Sequence, residues 1–463
     1  MKKITALTLA AMLALTVCGC RQAAPEQKEE PQVETVVPEQ EPSSKTSVSS
    51  GSDIAYDSLF PQHEPYGTGV GAMPGRVVWA HNPDSVEWDG NGWWWEVEHF
   101  DETVIRQMVN ESIAALGGKD TAAEGWQALF TAHNISHSRG ENGYQAGEKI
   151  AIKANINGSG LNSDDASGET EMSYTNPVLM KALLVSLVEE AGIPPEDITV
   201  YDVSRIFPDY MVEMCTEGSL SGIHFVGRTN AVADESAPIN WSYDVGGDTN
   251  YLPACVTEAA YMINLANLKG HSYGMTLCGK NHYGSYINTN RMRPPVGANL
   301  HGFLAGAEMD EYSPLVDFMA NEYLGGRTML YMLDAIICAP SEGASITGEN
   351  SRWQQAPFGG DYTSSILVSQ DPVAIDSVGA DFLANEPTIT ERNGTMAHNP
   401  AVENYLHEAG LVADAPSGTV YQNGNGEPVT NLGVHEHWNN AEEKLYSRNL
   451  GKEEGIELIS IEP

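Results

Sequence analysis

The sequence predicts an α/β fold: a mostly parallel sheet with helices on both faces, in a single large domain with insertions. Three observations predict it. Apolar, β-rich runs recur along the chain and are mostly continuous, as in strands buried on both faces. Helical patterns with capping signals lie between these runs. Neither an internal repeat nor a second linker divides the roughly 410 residues after position 52, which are ample for one large core.

The first 19 residues are typical of a lipoprotein signal peptide. Lys2 and Lys3 form a positive start, and an apolar run follows from Ile4 to Val17. This run is shorter than the roughly 20 residues of a membrane-spanning helix. Gly19 places a small residue before Cys20, as a lipoprotein signal peptidase requires, whereas an ordinary secretory signal is the alternative. We therefore expect a lipidated Cys20 that anchors the protein at the extracytoplasmic face of the cell membrane.

Residues 20–52 have the composition of a disordered tether. Pro, Glu, Gln, Ser and Val dominate, and the segment contains no aromatic residue. Such a segment buries too little apolar surface to offset the entropy lost on ordering. The predicted organisation is therefore a signal peptide at 1–19, a tether at 20–52 and the α/β domain at 53–463.

Strands and helices alternate in the predicted domain. The predicted strands are Arg76–His81, Lys149–Ile156, Ile198–Val203, Ala260–Leu268, Met329–Ala339 and Ser365–Ser369. The strand, helix, strand order from Lys149 to Val203 predicts a βαβ unit, whose crossover would be right-handed.

Capping signals mark three helices. An amphipathic pattern runs from Thr103 to Leu116 and ends at two glycines. Thr175-Asn176-Pro177 and Gln370-Asp371-Pro372 each place a polar cap before a proline at the first turn. The helix that begins at Pro177 is predicted to end near Ala191, and the helix that begins at Pro372 is predicted to end near Leu383. The polar stretch Ser285–Asn299 is predicted to be a loop over the site.

Charge and cysteine content exclude several functions. The net charge of −39, from 63 acidic and 24 basic residues, repels nucleic acid, so no nucleic-acid partner is expected. No Cys-x-x-Cys is present, and therefore no iron–sulfur cluster is expected. Buried thiols are the favoured interpretation of the four cysteines after Cys20, and a disulfide among them stays open: Cys215, Cys255, Cys278 and Cys338.

The segment Ala259–Ala307 is the clearest candidate for a binding site. It contains no acidic residue, although about one residue in seven of the whole chain is acidic. It carries instead Lys269, Lys280, Arg291, Arg293, His271, His282 and His301. In so negative a chain, a basic stretch with several glycines focuses positive potential and lets backbone amides approach a ligand. An anion site is the favoured interpretation, and a solvated loop is the alternative.

Two residues of the second strand are expected to join this segment. Lys153 and Asn155 share one side of the strand by its period of two, close to its carboxyl end. Ligands of open α/β sheets lie beyond the carboxyl ends of the strands. A surface lysine without a function is the equally weighted alternative for Lys153.

Four aspartates are further candidates. Asp202, at a strand end, is the favoured catalytic or metal-binding carboxylate. Asp334 lies in the fifth strand, and Asp371 is best interpreted as a helix cap. Asp376 lies among apolar neighbours and would need a partner if buried, for which a lysine of the basic segment is one candidate.

His435 and His437 form the last pattern with possible metal chemistry. In an extended segment they would share a face, as metal ligands sometimes do. The spacing names no metal, and a structural role is the favoured interpretation. A divalent metal remains a candidate cofactor.

Four motifs resemble those of the domain-of-unknown-function 362 family. They are Lys149–Asn155, Thr175–Pro177 (with Asn where the family usually has Asp), Asn264–Ser272 with its continuation to Gly284, and Ser369–Asp376. The resemblance extends from about Val77 to Glu457. It implies motif positions for Lys153, Lys269, His271, Lys280, Asn281, Asp371 and Asp376, and no activity. Some relatives carry a ferredoxin-like segment whose clustered cysteines this chain lacks, so no redox role is implied.

Two functions fit these observations. The first is an extracytoplasmic hydrolase or group-transfer enzyme for an anionic small molecule. Lys153, Lys269 and Lys280, with Asn155 and Asn281, would bind the anion. His271 or His282 would act as general acid or base, and Asp202 or Asp376 would orient a histidine or hold a metal. The second is a tethered binding protein for an anionic metabolite. A histidine and a carboxylate converging in the pocket would favour the enzyme, whereas carboxylates used as caps would favour the binding protein.

Overall fold

The central sheet can be followed from the bounds of its strands. The computed structural model describes residues 60–160, 164–246, 249–288, 300–392 and 400–463. Their strands are β1 (Tyr66–Gly67), β2 (Arg76–His81), β3 (Ile150–Lys153), β4 (Ile198–Asp202), β5 (His224–Gly227), β6 (Ala233–Pro238), β7 (Asn250–Pro253), β8 (Tyr261–Asn267), β9 (Lys269–His271), β10 (Gly274–Thr276), β11 (Ile287–Asn288), β12 (Thr328–Ala335), β13 (Arg352–Trp353), β14 (Asp361–Tyr362), β15 (Ser365–Ser369), β16 (Val434–His435) and β17 (Glu457–Ile461).

The helices of the same described residues lie mostly between the strands of the sheet. They are α1 (Glu102–Gly117), α2 (Ala122–Ser136), α3 (Pro177–Val185), α4 (Asp209–Met214), α5 (Ala254–Thr257), α6 (Cys278–Asn281), α7 (Gly302–Ala305), α8 (Pro314–Ala320), α9 (Pro372–Ala384), α10 (Pro387–Arg392) and α11 (Ala401–Gly410). None of them is long and apolar enough to cross a membrane.

Eight strands form the main sheet, in the order β17-β2-β15-β12-β8-β3-β4-β5. Strand β15 runs antiparallel to both of its neighbours, and the other neighbouring pairs are parallel. The carboxyl ends of β3, β4, β8 and β12 therefore meet at one edge of the sheet, which we call the carboxyl edge. This confirms the predicted α/β class with a mostly parallel sheet.

Both faces of the sheet are covered by apolar cores. Along β2, Val77 and Trp79 face one core and Val78 and Ala80 the other, as the period of two requires. Helices α1, α2 and α3 pack on one face, whereas α6, α8, α9 and α11 pack on the other. The continuous apolar strands predicted from the sequence are buried because helices cover both faces.

The predicted elements correspond closely to the observed ones. The strands Arg76–His81 and Ser365–Ser369 have the predicted bounds, and the other four predicted strands are each present but shorter. The fifth predicted strand begins one residue earlier than expected, at Thr328, and ends at Ala335. Strands β3 and β4 are parallel neighbours on either side of α3, as the predicted βαβ unit requires. Helix α3 ends at Val185 and continues as a π-helical turn, so it is shorter as an α-helix than predicted.

The capping predictions are explained by local hydrogen bonds. The Asn176 side chain accepts from the amides of Val178 and Leu179 at the start of α3. Asp371 does the same for Val373 and Ala374 at the start of α9. These bonds satisfy amides that have no partner in the first turn of a helix.

Candidate functional site

Lys153 and Asp202 form a buried ion pair at the carboxyl edge. They end the neighbouring strands β3 and β4, and the Lys153 Nζ atom lies 3.2 Å from Asp202 Oδ2. Asp202 also accepts hydrogen bonds from the amide of Ile156 and from the amide and hydroxyl of Ser204. Burial disfavours the charged carboxylate, but the Lys153 ammonium and these donors keep the pKa of Asp202 below its usual value. Its oxygens are thus already engaged within the protein.

Gly284 packs directly against this pair. A Cβ atom at that position would lie 2.4 Å from Asp202 Oδ1 and 2.9 Å from Lys153 Nζ. A side chain there would displace one of the two charged groups. The motif glycine is therefore explained by the space that the ion pair occupies.

Lys269 lies beside this pair but has only neutral partners. Its Nζ atom donates to Asn155 Oδ1 at 3.2 Å and to Ser173 Oγ at 2.8 Å, and its side chain has no exposed surface. Asn281 Oδ1 accepts from both Asn155 Nδ2 and Lys153 Nζ, which joins the two lysines in one network. The structure thus brings together Lys153, Asn155, Lys269 and Asn281 as the sequence predicted.

Lys280 is the third buried lysine of this region. Its ammonium lies 3.2 Å from His301 Nε2 and 3.9 Å from the centre of the Tyr283 ring. The His301 ring stacks on His271, whose Nδ1 accepts from the Tyr273 amide. We call Lys153, Lys269 and Lys280 with Asn155, Asn281, Asp202 and Arg205 the lysine cluster.

Burial and mutual repulsion shift the titration of this cluster. Burial lowers the pKa of Lys269 to about 7, although attraction from Glu342, Asp334 and Asp202 opposes the shift. Burial also lowers the pKa of Lys280 to about 7, with repulsion from Lys269 and Arg205 adding to it. Burial next to Lys280 holds the pKa of His271 far below its usual range. Burial is the largest cause of each shift, because it disfavours the charged form of the group.

His282 serves a buried hydrogen-bond network. Its Nε2 lies 3.1 Å from Asn264 Nδ2, and its Nδ1 lies 3.0 Å from Ser285 Oγ. Burial lowers the pKa of His282 to about 3, so the ring is neutral at physiological pH. Since no carboxylate is among these contacts, His282 resembles a structural residue more than an acid–base catalyst.

Asp371 and Asp376 both bind backbone amides. Asp371 accepts from Val70 and Val434 in addition to the helix it caps. Asp376 accepts from Cys278 and Gly279, the first residues of α6. Asp376 is buried and has partners, as expected, but they are the amides at the start of α6 and not a lysine of the basic segment, which was one candidate. Burial raises the pKa of each aspartate to about 7.

Sequence reasoning missed several members of this region. Arg205, a member of the lysine cluster, donates to Asn157. Glu342 binds Ser272 and lies 4.0 Å from His271. Arg205 follows the end of a predicted strand by two residues, which was the available signal. Glu342 and Ser173 lie in irregular segments whose positions no local pattern indicates. Arg291, Arg293 and most of the predicted loop 285–299 lie outside the described residues.

The cysteines are free in the structure. Cys215, Cys278 and Cys338 are buried and Cys255 is partly buried, with no disulfide among these four. Burial raises the pKa of each thiol. The sequence allowed either buried thiols or a disulfide among these four cysteines, and the structure shows free thiols, three of them buried.

The pair His435 and His437 meets residues from two distant segments. His63 approaches from before β1, and Glu403 and His407 project from α11. We call these five residues, His63, Glu403, His407, His435 and His437, the histidine cluster. Its ring centres lie 4.8 Å apart for His63 and His435 and 4.9 Å apart for His435 and His437.

Comparison with known proteins gives a single family match. Residues 150–381 match the model described as Domain of unknown function (DUF362), which is half of the chain. The matched part includes the lysine cluster and is narrower than the predicted extent from Val77 to Glu457. A search of curated proteins found none that matches the chain.

Proposed function

The chain belongs to the DUF362 family, whose matched segment contains the whole lysine cluster, and we propose that this cluster binds an anionic small molecule. The site lies beyond the carboxyl ends of parallel strands, where open α/β sheets bind their ligands. Phosphate and carboxylate groups are the chemical classes that lysine ammonium and asparagine amide groups recognise.

One observation carries the proposal: Lys269 and Lys280 are buried, and no carboxylate of the described residues lies within ion-pair distance of either. Lys269 is fully buried and Lys280 is 7% exposed, and neither forms an ion pair with any described residue. Burying an ammonium without a counter-ion costs several kcal/mol, on the order of the penalty known for isolated buried charges. An anion between these amines would remove that cost, because it restores their charged forms.

Binding fits the arrangement better than catalysis does. Asp371 and Asp376 bind helix amides, and Asp202 is paired with Lys153. His282 has no carboxylate to orient it. An acid–base catalyst needs a histidine held by such a partner and poised near neutral pH. The cluster therefore supplies charge and positioning for an anion, as a binding protein requires.

A hydrolase or group-transfer enzyme is the second candidate. The observation that favours it is His271, which stands next to Lys280 with its Nδ1 4.0 Å from Glu342 Oε1. Orientation of the ring by Glu342 would require a ligand-induced change in which Nδ1 gives up the Tyr273 amide and gains a proton directed at that carboxylate. Turnover of phosphate or carboxylate esters by the wild type, lost in His271→Gln with anion binding retained, would establish this candidate over simple binding.

The binding proposal is tested with inorganic phosphate and citrate as probes. We would measure the thermal shift and the Kd of the full chain in detergent for each anion, and compare Lys269→Met and Lys280→Met with it. Each substitution removes one charged hydrogen bond, worth about 1.5–3 kcal/mol, so Kd should rise roughly 10- to 100-fold.

The matched control is Lys149→Met, four residues before Lys153. The Lys149 side chain is half exposed and pairs with Glu258, away from the cluster. Its Kd should equal that of the wild type. Failure of both anions to bind the wild type, or an equal loss in Lys149→Met, would refute the assignment.

We also propose that the protein is a lipoprotein of the extracytoplasmic membrane face, anchored through Cys20. The support is the sequence of residues 1–20, with its positive start, short apolar run and small residue before Cys20. Cells fed labelled palmitate should incorporate label into the wild type and not into Cys20→Ser. Protease added to intact cells or spheroplasts should degrade the anchored form. Label that persists in Cys20→Ser would contradict this anchor.

A further inference from the structure

The five residues of the histidine cluster lie outside the matched family segment. Two residues of α9 that contact the cluster, Ser377 and Asp381, lie within that segment. Strand β1 pairs with β16 so that Tyr66 opposes His435, which brings His63 against the carboxyl-terminal part of the chain. Glu403 and His407 are four residues apart on α11 and therefore share a face of the helix. Three separate segments thus direct metal-ligating side chains to one place.

The hydrogen bonds of three histidines fix which ring nitrogen each one presents. His63 Nδ1 faces the carbonyl oxygen of Glu64, which only accepts hydrogen bonds, so Nδ1 carries the proton. The Ser377 hydroxyl donates to the Val373 carbonyl and therefore accepts from His435 Nδ1. Each ring then turns an unprotonated Nε2 towards the cluster.

Those two Nε2 atoms are buried and have no hydrogen-bond partner. An imidazole nitrogen buried in this way loses its water without compensation, which costs about 1–3 kcal/mol. The third histidine, His437, donates from Nδ1 to Asp381 at 2.7 Å and places Nε2 2.7 Å from Glu403 Oε1. Histidines that bind metals are held in this manner, with the second nitrogen bonded to a carboxylate, a carbonyl or another polar group.

We propose that the histidine cluster binds a divalent transition metal ion, with Zn²⁺ as the first candidate. His63, His435 and His437 supply imidazole nitrogens, and Glu403 supplies a carboxylate oxygen, with His407 beside it. Within each of two triads, His63–His435–His437 and Glu403–His407–His435, the ligand atoms lie within 4.8 Å of one another. Imidazole with one carboxylate is a ligand set typical of zinc.

Small side-chain movements would complete the coordination. Zinc–nitrogen bonds measure about 2.0–2.1 Å, so two ligands of one ion lie at most about 4.2 Å apart. Closing the triads from 4.8 Å requires shifts of less than about 1 Å. The partly exposed side chains of Glu403 and His407 leave a route for the ion from solvent.

The charges of the region agree with a bound cation. Glu403 and Asp381 both contact His437, so two carboxylates face one imidazole that can be protonated. A divalent ion bound beside this imidazole would balance both carboxylates.

The experiment measures zinc in the full chain, purified in detergent without a metal-affinity step. After loading with Zn²⁺ and removal of the excess, we expect about one zinc per chain by mass spectrometry. Zinc added to protein stripped with a chelator should also raise Tm, because the ion binds the folded state alone. The Co²⁺-substituted protein should show visible absorption of four- or five-coordinate nitrogen and oxygen ligation.

His63→Ala and Glu403→Gln are the test variants, and His137→Ala is the matched control. His63 is partly exposed, so its removal leaves the core intact, and zinc affinity should fall at least tenfold in both variants. His137 contacts His133 on α2 and belongs to a histidine pair without a carboxylate, so its removal should change nothing.

Two results would overturn the proposal. One is a wild type that binds none of Zn²⁺, Co²⁺, Ni²⁺ and Cu²⁺ at micromolar concentration. The other is full zinc occupancy in both test variants, folded as shown by circular dichroism. Neither result affects the anion proposal, because the lysine cluster is tested with metal-free buffers and separate variants.

Discussion

The lysine cluster and the histidine cluster are two buried polar regions with opposite charge imbalance. In the first, three lysines and Arg205 lie near two buried carboxylates: Asp202 pairs with Lys153, and Asp334 attracts Lys269 from beyond ion-pair distance. In the second, two carboxylates contact His437, and two further imidazoles have an unpartnered nitrogen. The first arrangement favours an anion and the second a cation.

Helix α9 contributes to both regions from neighbouring positions. Asp376 holds the start of α6, which carries Lys280 and Asn281, whereas Ser377 contacts His435. Successive residues of a helix point about 100° apart, so one helix can serve two sites on different sides. A buried polar group therefore indicates a ligand only when the protein leaves its charge or its hydrogen-bonding capacity unmatched. Five predictions test that distinction.

Asp202→Asn should cause the largest effect, because it leaves Lys153 buried without its counter-ion. Removing one partner of a buried ion pair costs about 3–5 kcal/mol of unfolding free energy. Urea denaturation measures the loss. Glu258→Gln, which removes the exposed partner of Lys149, should cost at most about 1 kcal/mol. Equal losses of unfolding free energy in the two variants would show that solvent screens the Lys153–Asp202 pair as much as the exposed Lys149–Glu258 pair.

Ser377→Ala should weaken zinc binding and leave anion binding unchanged. The substitution removes the acceptor that orients His435, and residues of this kind contribute roughly 10- to 100-fold to metal affinity. We expect a loss near the lower limit, about tenfold, in a zinc titration. An unchanged zinc Kd would mean that His435 is oriented by packing alone.

Anion affinity should fall as the pH rises from 6 to 8.5. Lys269 and Lys280 have pKa values of about 7 in the fold, so above pH 7 each loses the charge that binds the anion. The fraction of each charged amine falls about tenfold per pH unit there, and at least a tenfold rise in Kd is expected. Calorimetric titrations at pH 6, 7 and 8.5 measure it.

The contribution of Lys280 to the unfolding free energy of the ligand-free protein should rise with pH, whereas anion affinity falls. Because the pKa of Lys280 is about 7 folded and near 10.5 unfolded, the unfolded chain binds more protons between these values. The contribution of Lys280 to stability therefore rises with pH in that window. The wild type minus Lys280→Met difference in unfolding free energy isolates this contribution, and a slope of the opposite sign would contradict the lowered pKa.

Tyr405→Phe should have the smallest effect. The Tyr405 hydroxyl donates a long bond of 3.4 Å to Asp376, and Tyr405 lies between Glu403 and His407 on α11. Loss of this hydrogen bond should lower the unfolding free energy by about 1 kcal/mol or less. Neither the zinc Kd nor the phosphate Kd should change more than twofold. A larger change in both constants would show that the two clusters are energetically coupled.

Much of the lysine cluster could be predicted because its signals are local. Lys153 and Asn155 share a strand face, and Lys269 and Lys280 lie in a stretch without acidic residues. The hydrogen-bond partners of Asp376 could not be predicted from local sequence. Its partners are amides nearly 100 residues away, and only packing of α9 against α6 brings them within 3 Å.

The sequence by itself determined the α/β class, the strand positions, the helix caps and the basic character of one segment. These properties depend on the order of apolar residues and on contacts between neighbours in the chain. The packing of distant segments is what pairs Lys153 with a carboxylate, leaves Lys269 and Lys280 without an ion pair among the described residues, and brings His63 to His435. Partners of this kind are distant in sequence, and sheet pairing and burial of both faces bring them together. The physical reason is that the free energy of a buried charge depends on its neighbours in space, which no local pattern records.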